Sequence, residues 1–322
     1  MKLTIGLNHS LARIVEIMGP QVILEDQDAV LQLHCDPRYQ HINGQVNQRN
    51  FDVFVDQRPL GQTVVQHQLL LNHRYYNLPV WGKSYQGIVL GQAGIHTPRV
   101  IGTFMDNQQQ PGLTHGGYDD ALVIMRPEGG ANGNGIVKIP HRQAHECHCN
   151  IQDRDLDVVE LRRLFPQASF LTEDPEDVPF KQQWQGEACL TEYLGGDLDE
   201  YRIIFGGKDE FWAYPRRRYT EQGFTHANNN WDDPYPEQSS EINLADDVVE
   251  PTLVDQLKKF MAKNEQLLGS IDVFCDNDGQ WGVFEYASLF GHRTVPYAMV
   301  QRVYRGFFKQ LVDNYLLDRE HN

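Results

Sequence analysis

The chain has 322 residues, of which 40% are hydrophobic and 11% aromatic, and this composition is typical of a folded globular protein. Because a chain of this length is too long for one compact core, we expect two or three lobes. The formal net charge of -16 argues against a general nucleic-acid-binding surface. No apolar run approaches the ~18 residues that a membrane helix needs, and the N-terminus lacks the apolar stretch of a secretion signal.

Five cysteines are scattered along the chain, at positions 35, 147, 149, 189 and 275. An odd and scattered set in a chain this long indicates reduced thiols. The sequence therefore predicts a cytoplasmic protein with no membrane partner.

The first half of the chain carries few regular patterns. Residues 1–80 are polar, with short elements expected at 51–55 and 64–71. Residues 84–93 predict a short helix, because Gly94 is a natural stop at its C-terminal end. An apolar strand at 121–126, a glycine-rich turn and a second apolar strand at 136–139 then predict a hairpin flap.

The glycine-rich turn of this flap is the most informative stretch of the sequence. It contains Gly129, Gly130, Gly133 and Gly135. Glycine lets the backbone approach closely and adopt positive φ, so such a flap can lay backbone N–H groups over phosphates.

Two common nucleotide-binding motifs do not account for the flap. The segment 82–84 reads like the end of a P-loop, but Asn77 stands where that motif needs its first glycine. A dinucleotide fingerprint beginning at Gly133 fails as well, because Lys138 takes the place of the third glycine.

The second half of the chain has clearer periodicity. It predicts helices at 155–165, 252–268 and 297–317, and strands at 188–194, 201–205 and 210–214. Residues 220–241 are rich in Asn, Asp, Pro and Ser and predict a long surface loop. These elements predict an α+β fold with mainly antiparallel strands.

One further pair of strands carries two acidic residues. The strands at 271–275 and 281–286 flank an Asp-Gly turn, which predicts a hairpin. Asp272 and Glu285 occupy matching places on it, so their carboxylates can face the same side. Adjacent carboxylates repel each other unless a cation or a proton offsets them, and oxygen ligands of this kind suit Mg²⁺. A solvated polar face is the alternative.

Two other clusters allow both a functional and a structural interpretation. The segment 141–149 holds three histidines and two cysteines, but their spacing does not complete a zinc site, so a polar surface segment is favoured. Arg216, Arg217 and Arg218 form either a solvated face or an anion clamp, because arginine can donate two parallel hydrogen bonds to a phosphate or carboxylate.

Taken in order, these pieces resemble the ATP-grasp superfamily, and within it the ligases of the ribosomal-protein-glutamate-ligase and glutathione-synthetase type. The resemblance covers about two thirds of the chain, from Lys83 to Ser288. It is carried by the Lys83-Ser84 helix start and its GIHTP end, and by ALVIMRPEGGANGNGIVKI, CLTEYLGGDLDEYRIIFGG and IDVFCDNDGQWGVFEYAS. The first 80 residues and the loop at 220–250 match nothing in that family.

The resemblance implies a role for each matching residue. It implies that Asp272 and Glu285 bind Mg²⁺, and that Arg202 neutralises the transferred phosphoryl group with help from one arginine of 216–218, of which Arg216 and Arg218 are the candidates. Glu192, Tyr193 and Leu194 would hold adenine and ribose in a hinge. The other implied nucleotide contacts are Lys83, Arg126, Gly129, Gly130, Gly133, Gly135 and Lys138.

The resemblance also implies a fold and an activity. The implied fold is α+β, with two lobes that clamp ATP: a lid at 96–188 and a metal-site subdomain at 189–322, preceded by a pre-grasp domain at 1–95. The implied enzyme is an ADP-forming ligase that activates a carboxylate as an acyl phosphate and joins it to an amine. Its substrates are small molecules or peptides. A kinase on the same scaffold and a non-catalytic nucleotide-binding module are the alternatives.

Two positions depart from the family's pattern. Arg126 replaces the usual lysine before the proline, which keeps the charge and adds a second donor. Ala287 replaces a metal-binding asparagine, and alanine cannot coordinate. Ser288 or water in its place, or a second metal bound differently, are the alternatives.

Overall fold

A computed structural model describes most of the chain. The described residues are 1–35, 51–59, 74–105, 108–109, 120–128, 135–154, 156–171, 187–195, 198–216, 218–221, 224–227, 242–290 and 295–320. The element expected at 64–71, three flap glycines (Gly129, Gly130 and Gly133), Arg217 and the side chain of Arg218 lie outside this part.

The N-terminal sheet is mostly parallel, whereas the other described strand pairs are antiparallel, so the expectation of mainly antiparallel strands is confirmed for the described chain but does not extend to this sheet. Its elements are β1 (Lys2–Leu7), α1 (Ala12–Met18), β2 (Gln21–Leu24), β3 (Ala29–Cys35), β4 (Val53–Pro59) and β5 (Arg74–Val80), with strand order β2-β3-β1-β4-β5. Strand β1 pairs in parallel with β3 and β4, β4 pairs in parallel with β5, and only β2 is antiparallel. The physical reason is burial: Ile5, Val53 and Val55 are fully buried, as is typical of parallel strands.

The second sheet contains the predicted hairpin flap. It follows helix α2 (Lys83–Gln92), and its strands are β6 (Val100–Met105), β7 (Gln108–Gln109), β8 (Leu122–Pro127), β9 (Ile136–Pro140), β10 (Ser169–Leu171) and β11 (Ala188–Glu192). Two helices, α3 (His141–Asp153) and α4 (Val158–Leu164), lie between β9 and β10 in the chain. The strand order is β10-β9-β8-β11-β6-β7 and every pair is antiparallel. Helix α4 begins later than predicted, because Asp157 and Glu160 form a capping box at its N-terminus.

The third sheet contains the acidic hairpin. Its elements are β12 (Asp199–Gly206), β13 (Glu210–Pro215), β16 (Asn243–Leu244), α5 (Ala245–Val248), α6 (Pro251–Lys263), β17 (Leu268–Cys275) and β18 (Trp281–Ala287), and the chain closes with α7 (Tyr297–Glu320). A separate two-stranded ribbon joins β14 (Arg218–Glu221) and β15 (Phe224–Ala227). The third sheet has the antiparallel order β16-β13-β12-β17-β18. Helix α6 ends at Lys263, earlier than the predicted residue 268, because Glu265 adopts a left-handed φ of 54° that a helix cannot contain.

Three hydrophobic cores underlie these sheets. The first unites the N-terminal sheet with α1, α7 and one face of the third sheet. The second lies between the other face of the third sheet and α6, and it also takes in Trp81 and Leu90 beside and within α2. The third packs α3 and α4 on one face of the second sheet. The domain boundaries at 95/96 and 188/189 stay a proposal.

The histidine- and cysteine-rich segment is not the polar surface segment that we expected. It forms α3, whose apolar side is buried: Cys147 and His148 are 0% and 1% exposed, and His148 stacks on Phe104 with ring centroids 4.7 Å apart. No group of three metal-ligating side chains occurs among the described residues, here or elsewhere. Burial also raises the pKa of the Cys147 thiol far above its ordinary value. The segment is therefore part of the core of the second sheet.

None of the five cysteines forms a disulfide bond in the structure. No helix in the described part of the chain is both long and apolar enough to cross a membrane.

Gln86 fastens helix α2 to the acidic hairpin. Its side chain is buried, and its amide oxygen accepts a hydrogen bond from the Tyr286 backbone N at 2.8 Å. Its Nε2 donates to the Trp81 carbonyl at 2.8 Å. The helix that carries Lys83 is thereby held against the strand that carries Glu285.

Replacing Gln86 with leucine is expected to lower the free energy of unfolding by about 2–4 kcal/mol, because it leaves a buried N–H and a buried carbonyl unpaired. Urea unfolding followed by circular dichroism measures this loss. Gln92→Leu is the control: Gln92 is the exposed last residue of the same helix, so a change of no more than about 0.5 kcal/mol is expected. Equal losses in both variants would contradict the bridging role.

Candidate active site

The structure brings Asp272 and Glu285 together as the sequence predicted. They lie directly opposite each other on β17 and β18, and the register shifts immediately after Asp272. This register shift is a β-bulge, and a bulge changes the direction of the side chains beside it. The neighbouring Ile271 and Val273 belong to the core on the α6 side, so alternation along the strand turns Asp272 toward the opposite face. The candidate site lies on that face.

Glu285 is the centre of a partly exposed charge cluster. Its Oε2 accepts hydrogen bonds from Lys83 Nζ at 2.5 Å and from Arg126 Nη1 at 3.3 Å. The side chains of Lys83, Arg126 and Glu285 are 12%, 16% and 28% exposed. Lys83 is the first residue of α2 and Arg126 is the last residue before Pro127 at the flap end of β8. Three separate elements therefore meet at one carboxylate oxygen.

Asp272 is the centre of a second, more buried cluster. Arg202 on β12 donates to both of its oxygens, from Nε to Oδ1 at 2.6 Å and from Nη2 to Oδ2 at 2.8 Å. Arg216 Nη1 also donates to Oδ2 at 2.7 Å, and lies 3.9 Å from Glu200 Oε2. The arrangement follows from the sheet, because Arg202 is the cross-strand partner of Asp272.

The surrounding charges fix the ionisation of both carboxylates. Burial raises the pKa of Asp272, but the positive charges of Arg202, Arg216 and Lys83 outweigh it and lower the pKa to about 2. Burial likewise raises the pKa of Glu285, while Lys83 and Arg126 overcome this and hold its pKa below the ordinary value. Both side chains are therefore anionic at neutral pH.

The two clusters together carry a positive balance. Among the described side chains that form these ion pairs, Lys83, Arg126, Arg202 and Arg216 supply four positive charges, and Asp272, Glu285 and Glu200 supply three negative ones, which leaves a net charge of +1. Because the whole chain is strongly acidic, this is a local reversal of sign. Such a cluster of arginine and lysine suits a polyanion.

The segment predicted as the adenine hinge follows β11. Glu192 contacts the Arg99 backbone twice: its backbone N donates to Arg99 O at 3.0 Å, and its side-chain Oε1 accepts from Arg99 N at 2.8 Å. Tyr193 N donates to the Leu122 carbonyl at 3.3 Å. Leu194 N has no hydrogen-bond partner within the described part of the chain.

Lys138 joins the lid strand to this hinge. Its Nζ lies 5.2 Å from the centroid of the Tyr193 ring, in cation–π contact, and burial lowers its pKa. Lys138 lies on the face of the second sheet that does not pack on α3 and α4, as does Arg126 on β8. Arg126 and Lys138, two of the predicted nucleotide contacts of the lid, therefore share one face.

The described end of the flap is Gly135. It has a φ of 78°, and its N–H donates to the Leu171 carbonyl at 3.0 Å. This left-handed conformation is the one for which glycine is needed.

Several residues of the site were missed in the sequence. Glu200 completes the buried cluster, and Glu128 accepts hydrogen bonds from the Ser84 backbone N at 3.0 and 3.3 Å, capping the start of α2. Gln57 Nε2 donates to Ser288 Oγ at 2.7 Å and links the N-terminal sheet to the end of β18. No motif marks these contacts, because each joins segments that are distant in sequence. The proposed roles of Arg217 and Arg218 stay predictions, since their side chains lie outside the described residues.

No family model matches the sequence. No curated protein is significantly similar to it in sequence. Solved structures do match in fold. The D-alanine–D-alanine ligase of Bacillus anthracis in complex with ATP is 10% identical, with 99% of each chain covered and a TM-score of 0.51. The VanG D-Ala:D-Ser ligase of Enterococcus faecalis is 11% identical, with 98% of this chain and 100% of that chain covered and a TM-score of 0.50.

These likenesses establish the fold. The chain has the ATP-grasp fold, an α+β architecture, and the resemblance predicted from residues 83–288 is confirmed at that level. The match also covers the first 80 residues, which resembled nothing in sequence.

Proposed function

We propose that this protein is an ATP-dependent ligase that activates a carboxylate as an acyl phosphate, joins it to an amine and releases ADP. The observation that carries the proposal is the net-positive cluster at the meeting point of α2, β8, β12 and β18, with Asp272 and Glu285 opposite each other within it. The fold supports it, since the structures it matches include ligases that join amino acids, one of them with ATP bound.

In this proposal ATP lies between the second and third sheets. Adenine and ribose occupy the hinge at Glu192, Tyr193 and Leu194. The phosphates extend toward Lys83 and Arg126, with the flap at 129–135 above them. Lys83 and Arg126 already converge on one carboxylate oxygen, so they can transfer their hydrogen bonds to phosphate oxygens without large movement.

The carboxylates of the hairpin fit a divalent cation. Mg²⁺ takes one or two carboxylates, several waters and phosphate oxygens. Glu285 fits this pattern, because it is anionic, partly exposed and has one oxygen, Oε1, with no partner among the described residues. Asp272 is the second residue to which the family resemblance assigns a metal-binding role, and both of its oxygens already accept hydrogen bonds from arginine. When bound, Mg²⁺ would neutralise phosphate charge and help to orient the triphosphate.

The side chains of the site would act on charge that develops during the reaction. A substrate carboxylate oxygen attacks the γ-phosphorus, ADP leaves, and an acyl phosphate results. The amine then attacks the acyl carbon, a tetrahedral oxyanion forms, and phosphate leaves as the amine gives up a proton. Arg202 and Arg216 would stabilise the phosphoryl group and the oxyanion.

No covalent enzyme nucleophile is part of this scheme. Cys189 is the cross-strand partner of Arg126, and burial raises the pKa of its thiol to about 12. The thiol therefore stays protonated. The protein would act by positioning the reactants and excluding water, which hydrolyses acyl phosphates. The free thiols agree with a reducing compartment, and we propose the cytoplasm.

The proposal predicts that ADP release depends on both an acid and an amine. We would supply ATP, Mg²⁺ and a panel of amino acids and short peptides, with hydroxylamine as the general amine, and measure ADP and hydroxamate together. Hydroxamate in step with ADP for at least one acid is the expected result. AMP release would contradict the proposal, a stable phosphorylated product without hydroxamate would identify a kinase, and ATP binding without turnover would identify a non-catalytic module.

A further inference from the structure

We infer that Asp272 is a positioning residue for Arg202 and Arg216, and that Glu285 alone supplies the carboxylate that meets the metal. The inference rests on the proposed function and gives the two carboxylates of the hairpin different roles. The hairpin pattern and the family resemblance assign both residues to the metal, so the division comes from the contacts in the structure.

The oxygens of Asp272 are already engaged. Oδ1 accepts from Arg202 Nε at 2.6 Å, while Oδ2 accepts from Arg202 Nη2 at 2.8 Å and from Arg216 Nη1 at 2.7 Å. A carboxylate oxygen has two lone pairs, so Oδ2 is saturated and Oδ1 keeps one free position. The two bonds from Arg202 form a bidentate pair, the strongest and most directional of charged hydrogen bonds.

Asp272 also belongs to a network whose charges cancel. Glu200, Arg216, Asp272 and Arg202 form a chain of alternating sign, with side chains 7%, 11%, 6% and 11% exposed. A metal ion bound to Asp272 would bring two more positive charges beside two buried guanidinium groups. Like charges in a site of low dielectric repel strongly, so this network disfavours a cation.

Glu285 offers the opposite conditions. It is 28% exposed, and both of its contacts, from Lys83 and Arg126, fall on Oε2. Oε1 has no partner within the described residues. When phosphates draw Lys83 and Arg126 away, both oxygens of Glu285 become available to a cation.

Neither Ala287, the last residue of β18, nor the following Ser288 offers a substitute metal ligand. Ala287 is exposed and has no side-chain oxygen. Ser288 is 5% exposed, and its Oγ is held by Gln57 at 2.7 Å, so it does not fill the gap left by Ala287. A donor set of one carboxylate, phosphate oxygens and water is sufficient for Mg²⁺.

The role of Asp272 is then to fix two guanidinium groups. Arg202 uses Nε and Nη2 on Asp272, which leaves Nη1 to point at a ligand. Arg216 is held through its Nη1, which donates to Asp272 Oδ2. A fixed donor costs no reorganisation when charge develops at the reacting group, which is the advantage of such an arrangement.

A measurement of metal binding tests whether Glu285 binds the metal and Asp272 does not. We would measure Mn²⁺ binding by electron paramagnetic resonance in the presence of a non-hydrolysable ATP analogue, for the wild type, Asp272→Asn and Glu285→Gln. We expect Glu285→Gln to raise the Mn²⁺ dissociation constant at least about tenfold, and Asp272→Asn to change it less than about threefold. An increase in Asp272→Asn that equals the one in Glu285→Gln overturns the inference, as does no increase in Glu285→Gln.

A charge-balanced double variant is the control for misfolding of Asp272→Asn. Asp272→Asn leaves two buried guanidinium groups without their carboxylate, whereas Asp272→Asn combined with Arg216→Gln removes one charge of each sign. The double variant should also keep its Mn²⁺ affinity within about threefold of the wild type. A tenfold loss in a folded double variant overturns the inference.

Kinetics supply the second readout. If Asp272 acts through Arg202, the combined Asp272→Asn/Arg202→Lys variant should have nearly the same kcat as the slower single variant. If the kcat of the combined variant instead falls by the product of the two single losses, Asp272 and Arg202 do not act together. Because Mn²⁺ binding needs only the nucleotide analogue, it still tests the inference if no acid and amine pair gives hydroxamate, whereas that result would count against the proposed function.

Discussion

Replacing Arg202 with lysine is expected to lower kcat by about 100-fold or more, the usual effect of removing one preorganised donor from a developing oxyanion. Arg202 holds both oxygens of Asp272 and still has Nη1 free, whereas the single ammonium group of lysine cannot do both. Because the lost contact forms in the transition state, KM for ATP should stay close to the wild-type value. Steady-state kinetics with the acid found by hydroxamate formation measures both constants.

Arg142→Lys is the matched control for this substitution. Arg142 lies on α3, is half exposed, and pairs with the exposed Asp120, so lysine preserves its only charged contact. We expect its kcat to stay within about twofold of the wild type, since exposed ion pairs contribute little. If Arg202→Lys keeps full activity while remaining folded, Arg202 has no direct role in the chemistry.

The second large effect is expected from Gly206→Ala, which should destabilise the protein by about 3 kcal/mol or more. Gly206 ends β12 beneath helix α7, and a Cβ at this position would lie 1.8 Å from the Val303 carbonyl oxygen. Both atoms belong to regular elements, so neither can move alone. Helix α7 also packs on the N-terminal sheet, and a displacement would therefore disturb the core that joins the two sheets.

Urea unfolding measures this loss, with Gly102→Ala as the control. Gly102 lies in β6 and a Cβ there would have no atom within 4 Å, so the control should change the free energy of unfolding by no more than about 0.5 kcal/mol. If Gly206→Ala is as stable as Gly102→Ala, the close approach of α7 to β12 is not a determinant of stability.

Elements with a strong local signal were predictable from the sequence. The helix after Gly82, the flap strands and the acidic hairpin all lie within a few residues of their expected bounds. In the hairpin, the short turn pairs Val273 with Val283, and a bulge directly after Asp272 then places Asp272 opposite Glu285. The turn was sufficient to find the two strands and their acidic residues, whereas the bulge that completes the pairing has no sequence motif.

Elements whose pairing is distant in sequence were harder to predict. The parallel N-terminal sheet joins β1 to β3 and β4 through intervening segments, and no turn motif records such pairing. Similarly, the segment at 141–149 has a polar composition, but as a helix it collects Ala144, Cys147 and Ile151 on one buried side. Only the packing surface of the second sheet decides that this side is buried.

The sequence by itself determined the helix after Gly82, the flap strands, most regular elements after residue 188, the ATP-grasp resemblance and the residue types of the site, because hydrophobic period, turn residues and charge are local properties of the chain. Only the tertiary structure decided the partners of each charge: Lys83 and Arg126 with Glu285, Arg202 and Arg216 with Asp272. The physical reason is that the strength and the role of an ion pair depend on distance and burial, and both are set by segments that meet only when the chain folds.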